Sequence, residues 1–201
     1  MPVSDFGTPR FQFRALCSET VAELFTLGHS TRSIDDFLAL LAEHRIARLV
    51  DVRTVPRSRH NPQFNRDLLP PALERAGIAY THLPALGGLR HTRKDSPNTA
   101  WKNTSFRGYA DYMLTPEFDR ALDELIALAD RERIAIMCAE AVPWRCHRSL
   151  IADALTARGI PVTHIMSAGH TKPHSMTSFA HVEGSRVTYP GNQPTLDLGE
   201  G

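Results

Sequence analysis

Three stretches in fixed order, Glu23–Leu27, Ile34–Leu41 and Arg48–Arg53, limit the folds open to this chain more than anything else in it. The first is a short apolar run closed by Gly28-His29-Ser30-Thr31. The second sets Ile34, Phe37, Leu38, Leu40 and Leu41 at helical spacing behind Ser33, a good N-cap, with Asp36 placed to assist it. The third, RLVDVR, reads as another strand. A strand, a helix and a strand within about 30 residues make a βαβ unit, which requires parallel strands and a right-handed crossover. The alternation continues. A helix starts near Leu69, because Pro70 and Pro71 are tolerated only in a first turn. A strand follows at Ile78–Leu83. Helices are expected at Phe106–Met113 and Pro116–Asp130, a strand at Ile134–Met137, a helix at His147–Arg158 and a strand at Val162–Ile165. The expected fold is a single three-layer α/β/α domain of Rossmann-like form, with a mostly parallel sheet of about five strands and helices on both faces. The domain is expected to span residues 23–166. Residues 1–22 read as an irregular arm, and residues 167–201, rich in Gly, Pro, Ser and Thr, as an irregular tail with one short strand at Arg186–Tyr189.

Length and composition agree with this class. The 201 residues are 42% hydrophobic and 22% charged, which suits a globular domain with a real core. A net charge of +1 does not itself indicate nucleic acid, because a small total hides local patches. No apolar run approaches the roughly 18 residues of a spanning helix, and no secretory pattern opens the chain. Three cysteines suit a reducing compartment better than a disulfide framework. The expectation is a cytoplasmic protein with no membrane partner.

In parallel α/β sheets, ligands bind beyond the carboxyl ends of the strands. Here those ends carry His29 and Ser30, then Asp51, Arg53 and Arg57, then Gly87-Gly88 with Arg90. The fourth strand runs into IAIMCAEAVPWRCHRS at residues 134–149, with Cys138, Glu140, Trp144, Arg145, Cys146, His147 and Arg148, and the fifth carries His164. Five strand ends converging in this way place the site at one edge of the sheet.

The blocks TLGHS at 26–30, LVDVRTVPRSR at 49–59, LPALGG at 83–88, FRGYADYML at 106–114 and MCAEAVPWRCHRSLIADAL at 137–155 resemble the domain-of-unknown-function family numbered 488. The resemblance covers residues 24–165. It implies a bacterial or archaeal relationship and carries no settled activity, so chemistry has to be read from the residues.

Several cations near one helix start favour an anion. Arg53, Arg57, Arg145 and Arg148 are therefore expected to bind a small anionic ligand or a nucleotide, with His29, Ser30, Asp51, Trp144, Cys146 and His147 contributing to the ligand site. If the protein is an enzyme, Cys138 or Glu140 is the expected catalytic residue, Cys138 as a nucleophile activated by neighbouring arginines, or Glu140 as a base unless it pairs with Arg53 or Arg148 to hold the loop. The layout of strand, cysteine, loop and arginine matches rhodaneses and cysteine phosphatases in outline only, because six residues, one of them Pro143, separate Cys138 from Arg145. Two alternatives stand beside this reading. A nucleic-acid or nucleotide-binding module without turnover would use the same arginines, the basic run Arg90–Lys94 and the tryptophans. A metal-binding protein would use Cys138, Cys146 and His147. Gly28-His29-Ser30 lacks the glycine frame of a serine-hydrolase elbow. The residues do not identify a cofactor or an oligomeric state.

Overall fold

Apolar side chains on successive residues of each inner strand point to opposite faces of a sheet, and each face needs its own helix layer. The computed structural model describes residues 23–191. In chain order the elements are β1 (Leu24–Gly28), α1 (Ile34–Glu43), β2 (Arg48–Asp51), α2 (Leu69–Arg75), β3 (Ala79–His82), α3 (Thr104–Tyr112), α4 (Pro116–Ala129), β4 (Ile134–Cys138), α5 (Arg148–Ala157) and β5 (Val162–Ser167). Three short strands follow, β6 (His170–Pro173), β7 (His181–Glu183) and β8 (Arg186–Thr188). Phe25, Leu27, Leu49, Ala135 and Met137 pack against Phe37 and Leu41 of α1 and Leu69 and Leu73 of α2. Leu24, Val50, Ile134, Ile136 and Cys138 face the other way, toward Tyr109 of α3, Leu122 and Leu125 of α4 and Leu150 and Ile151 of α5. Each large apolar side chain buried in this way contributes about 1.5–3 kcal/mol. The result is a three-layer α/β/α domain.

The central sheet has six strands in the order β3-β2-β4-β1-β5-β6. β1 to β5 run parallel, and β6 closes the edge antiparallel. The chain first moves outward from β1 to β2 and β3, then returns to insert β4 between β2 and β1. The carboxyl end of β4 therefore lies at the centre of the sheet, where the direction of winding reverses and parallel sheets bind their ligands. The register sets Gly28 beside Cys138 and Asp51 beside Met137, so three strand ends meet at one level.

Helix starts follow their caps. Ser33 accepts the Asp36 amide at 3.0 Å, Thr115 accepts the Phe118 amide at 3.3 Å, and Pro116 occupies the first position of α4. Asn103 caps α3, which starts at Thr104 and so precedes the expected Phe106. Gly77 and Gly159 take φ of +71° and +77° where α2 and α5 end, a conformation other residues adopt only with strain.

The segment after residue 166 differs from the irregular tail expected of it. β5 runs on to Ser167, and a two-residue turn with Gly169 at φ +66° sends β6 back along it. β7 and β8 form a second hairpin, of which Arg186–Thr188 matches the one strand expected there. Tyr189 is fully buried against the α5 side of the core and donates its hydroxyl to Asp153 at 2.8 Å. β6 carries exposed polar residues with no apolar alternation, so nothing in its own pattern marked it as a strand. The N-terminal arm of residues 1–22 and the end of the chain from residue 192 lie outside the described residues. Among the described residues no helix is long and apolar enough to cross a membrane.

Candidate functional site

β4 delivers Cys138 to the rim of the sheet, and the chain then loops through a 3-10 turn at Pro143–Arg145 before α5 begins. The loop lies directly on the end of β1. A β-carbon added at Gly28 would stand 1.8 Å from the Glu140 carbonyl oxygen, so only glycine permits this approach. The ladder continues past the strands, with the His29 amide donating to the Cys138 carbonyl and the Ser30 amide to the Ala139 carbonyl, each at 2.9 Å. Arg148 fastens the loop from below. Its side chain is 1% exposed and donates to the Glu140 carbonyl at 2.5 Å, to Thr26 Oγ1 at 3.2 Å and to Cys146 Sγ at 3.4 Å. Among the described residues it forms no ion pair with a carboxylate. The guanidinium expected to grip a ligand is instead a staple between β1, the loop and α5.

Cys138, Cys146 and His147 form a cluster above this staple. His147 Nε2–H donates to the Val52 carbonyl at 3.3 Å, which leaves the Nδ1 lone pair facing Cys138 Sγ at 3.9 Å and Cys146 Sγ at 3.7 Å. Gly88 makes room for that ring, because a β-carbon there would meet His147 Nδ1 at 2.5 Å. The two thiols are not equivalent. The neighbouring Cys146 sulfur and burial together push the Cys138 pKa well above the ordinary thiol value. The neighbouring Cys138 thiol and the Arg148 guanidinium, whose Nε–H donates to its sulfur, lower the Cys146 pKa well below the ordinary value despite its burial. The Arg148 Nε–H contact falls on Cys146, the residue that sequence placed among the ligand contacts.

On the β2 side, Asp51 is fully buried and accepts Arg53 Nε at 2.9 Å, Arg53 Nη2 at 2.6 Å and the Tyr80 hydroxyl at 2.9 Å. Burial and Asp51 together raise the Tyr80 pKa, keeping its phenol a neutral donor. Arg53 also donates to the Phe64 carbonyl at 2.8 Å and to His29 Nε2 at 3.3 Å. His29 in turn donates Nδ1–H to the Ser30 carbonyl at 2.9 Å and stacks on Phe64. Burial, with Arg53 adding to it, lowers the His29 pKa to about 4.

A second buried chain leaves the staple in the other direction. Arg148 can only donate and the Asp153 carboxylate accepts, so the hydrogens run one way. Arg148 donates to Thr26, Thr26 to His164 Nδ1 at 2.8 Å, His164 Nε2 to His174 Nδ1 at 3.0 Å, and His174 Nε2 to Asp153 at 2.8 Å. Burial, followed by His174 and Arg148, lowers the His164 pKa to about 3. Both His29 and His164 fold as neutral rings, while an unfolded histidine titrates near 6.5. The unfolded chain therefore binds more protons below about pH 6.5. Their contribution is present above that pH and is lost as pH falls toward about 4 for His29 and about 3 for His164, each at up to about 1.4 kcal/mol per pH unit. Urea midpoints between pH 7 and pH 5 should fall less steeply for His164→Asn, whose amide oxygen can take the place of Nδ1, than for the natural protein. Equal slopes would show that His164 does not titrate on unfolding.

The cluster opens into a cleft of about 380 Å³. Eight of the residues expected at the site line it, namely His29, Arg53, Arg57, Cys138, Glu140, Arg145, Cys146 and His147. Four do not. Asp51 and Arg148 are buried beneath it with their polar atoms engaged, and Ser30, at φ +50°, is not among the residues that line it. Trp144, 58% exposed, lines a separate cleft of about 250 Å³ with Trp101, His164 and Lys172, because the 3-10 turn points it and Arg145 in different directions. The cleft also takes Thr54, Val55, Ser58, Leu89, Ser105 and Phe106, which were not among the expected site residues and which follow β2 and β3 or open α3. Nor does the basic run 90–94 contribute. Arg90 is tied to the Gly87 and Ala85 carbonyls over the Tyr112 ring, and Arg93 pairs with Asp95.

A family model described as a domain of unknown function, DUF488, matches residues 33–155, well over half of the chain. No curated protein and no solved structure matches it.

Proposed function

Since the chain belongs to the DUF488 family, whose description specifies no activity, we propose from the site itself that the protein binds a small phosphate-bearing or similarly anionic ligand. The ligand would occupy the cleft at the carboxyl edge of the sheet, over Cys138, Cys146 and His147. One contrast carries this reading. Arg32, Arg48, Arg53, Arg90, Arg93 and Arg107 all donate to carbonyls or carboxylates of the protein. Arg57 and Arg145 line the cleft, are exposed, and form no ion pair among the described residues. Two uncommitted guanidinium groups facing one small cleft suit an anion of phosphate size. Glu140 is the cleft's one carboxylate among the described residues and is exposed, so it is placed to exchange a proton with a bound ligand. Val55, Leu89 and Phe106 give the rest of the ligand an apolar wall.

Titration with pyrophosphate, followed by NMR or calorimetry, tests this. Arg57→Ala and Arg145→Ala should each weaken binding by about tenfold or more, as expected when a charge-assisted hydrogen bond is lost. Unchanged affinity in the double variant overturns the assignment. Binding of an oligonucleotide with steep salt dependence, but no binding of pyrophosphate, would favour the nucleic-acid alternative instead.

A further inference from the structure

We propose that Cys138, Cys146 and His147 form a three-ligand site for one thiophilic divalent cation of the zinc class, with its fourth coordination position open to the cleft. The three ligand atoms lie within 4.8 Å of one another. A tetrahedral zinc ion with bonds of about 2.3 Å to sulfur and about 2.0–2.1 Å to nitrogen needs S···N edges of roughly 3.6 Å and an S···S edge of roughly 3.8 Å. The Sγ···Nδ1 distances are 3.9 and 3.7 Å, so shifts of a few tenths of an ångström in side-chain torsions bring nitrogen and sulfur to that spacing.

The surroundings fit a ligand set as well as the distances do. Metal-binding histidines usually donate their other ring N–H to a carbonyl, which fixes the tautomer and the ring. His147 does this through Nε2 to the Val52 carbonyl. The space beside Nδ1 is kept clear by Gly88, where any β-carbon would fall 2.5 Å from that nitrogen. Arg148 Nε–H on Cys146 Sγ is a second supporting contact of the kind that orients a metal-bound thiolate. All three residues line the cleft, which provides the route of entry and the open position.

Charge links this centre to the anion reading, on which the role of the fourth position rests. Two thiolates neutralise a divalent ion, and neutral histidine adds nothing. Arg148 then leaves the buried centre with a net positive charge, and an anionic oxygen is the natural fourth ligand.

Cobalt(II) is the reporter. Protein stripped with a chelator and titrated with cobalt should develop the strong visible bands and the sulfur-to-metal charge-transfer absorption of a tetrahedral thiolate site. These should saturate at one equivalent and be displaced by zinc. Cys146→Ser and His147→Ala should weaken binding by at least tenfold. A readout that needs no variant is alkylation followed by mass spectrometry. Zinc should protect Cys138 and Cys146 from alkylation, read at each residue by peptide mapping. No thiolate band with excess cobalt on folded, stripped protein overturns the proposal. So does equal alkylation of Cys138 and Cys146 with and without zinc, or an unchanged spectrum in Cys138→Ser/Cys146→Ser. Added phosphate separates the two readings. Cobalt bands that phosphate shifts support both. Bands indifferent to phosphate, with no pyrophosphate binding, keep the metal and remove the anion. Pyrophosphate binding to a protein that takes up no cobalt does the reverse.

Discussion

Asp51→Asn should destabilise the protein by about 3–5 kcal/mol, the usual cost of removing one partner from a buried ion pair. The substitution keeps the volume and removes only the charge and one acceptor. The three side-chain donors that converge on Asp51, from Arg53 Nε and Nη2 and from Tyr80, would then face an amide that can accept on one side and must donate on the other. Arg53, 6% exposed, would be left as a buried cation with only the Phe64 carbonyl and His29 as partners. Because His29 and Phe64 lean on this pair, the loss should extend to the cleft wall. Asp51→Asn/Arg53→Met should recover part of the stability, since the uncompensated charge is the larger penalty. Urea unfolding gives both values. A cost below about 1 kcal/mol for Asp51→Asn would mean that Asp51 is not the counter-ion of Arg53.

Arg148→Met should cost about 4 kcal/mol, since three hydrogen bonds from a buried cation are lost together. For a chain of this length that is a fall of about 10 °C in the thermal midpoint. Methionine fills most of the space, so the loss reports hydrogen bonding more than cavity formation. Arg148→Lys should recover little, because one ammonium cannot reach the Glu140 carbonyl, Thr26 and Cys146 in the directions that the guanidinium fork serves. The loop over β1 should loosen, and Cys138 and Cys146 should alkylate faster than in the natural protein. A midpoint within 2 °C of the natural protein, with unchanged thiol reactivity, would remove Arg148 from its stapling role.

These two substitutions fall on residues that sequence placed at the ligand site and whose polar atoms the fold engages within the protein. Asp51 and Arg148 stood out because a charge inside a strand and a charge at the start of an apolar helix need an explanation. The available pattern suggested a ligand. Burial supplies a different one: each charge holds together segments that carry the site, and neither touches the cleft. Cys138 and Cys146 show the same limit. Both could be named as candidates from sequence, but that the Arg148 guanidinium reaches the sulfur of Cys146 emerges only in space.

The sequence by itself determined the order of strands and helices, the parallel sheet through its βαβ units, and the sheet edge at which reactive residues gather. Those features follow from local rules: helical and strand periodicity, caps, and prolines and glycines at turns. Tertiary structure decided where each polar side chain points. Thr26 meets His164 across 138 positions and Arg148 across 122, and Gly88 clears the space for His147 from a distant loop. The two hairpins after Ser167 also depend on what lies beside them, β5 for β6 and the α5 face for β8. Such contacts arise from the close approach of segments far apart in the chain, and neither spacing nor composition records them.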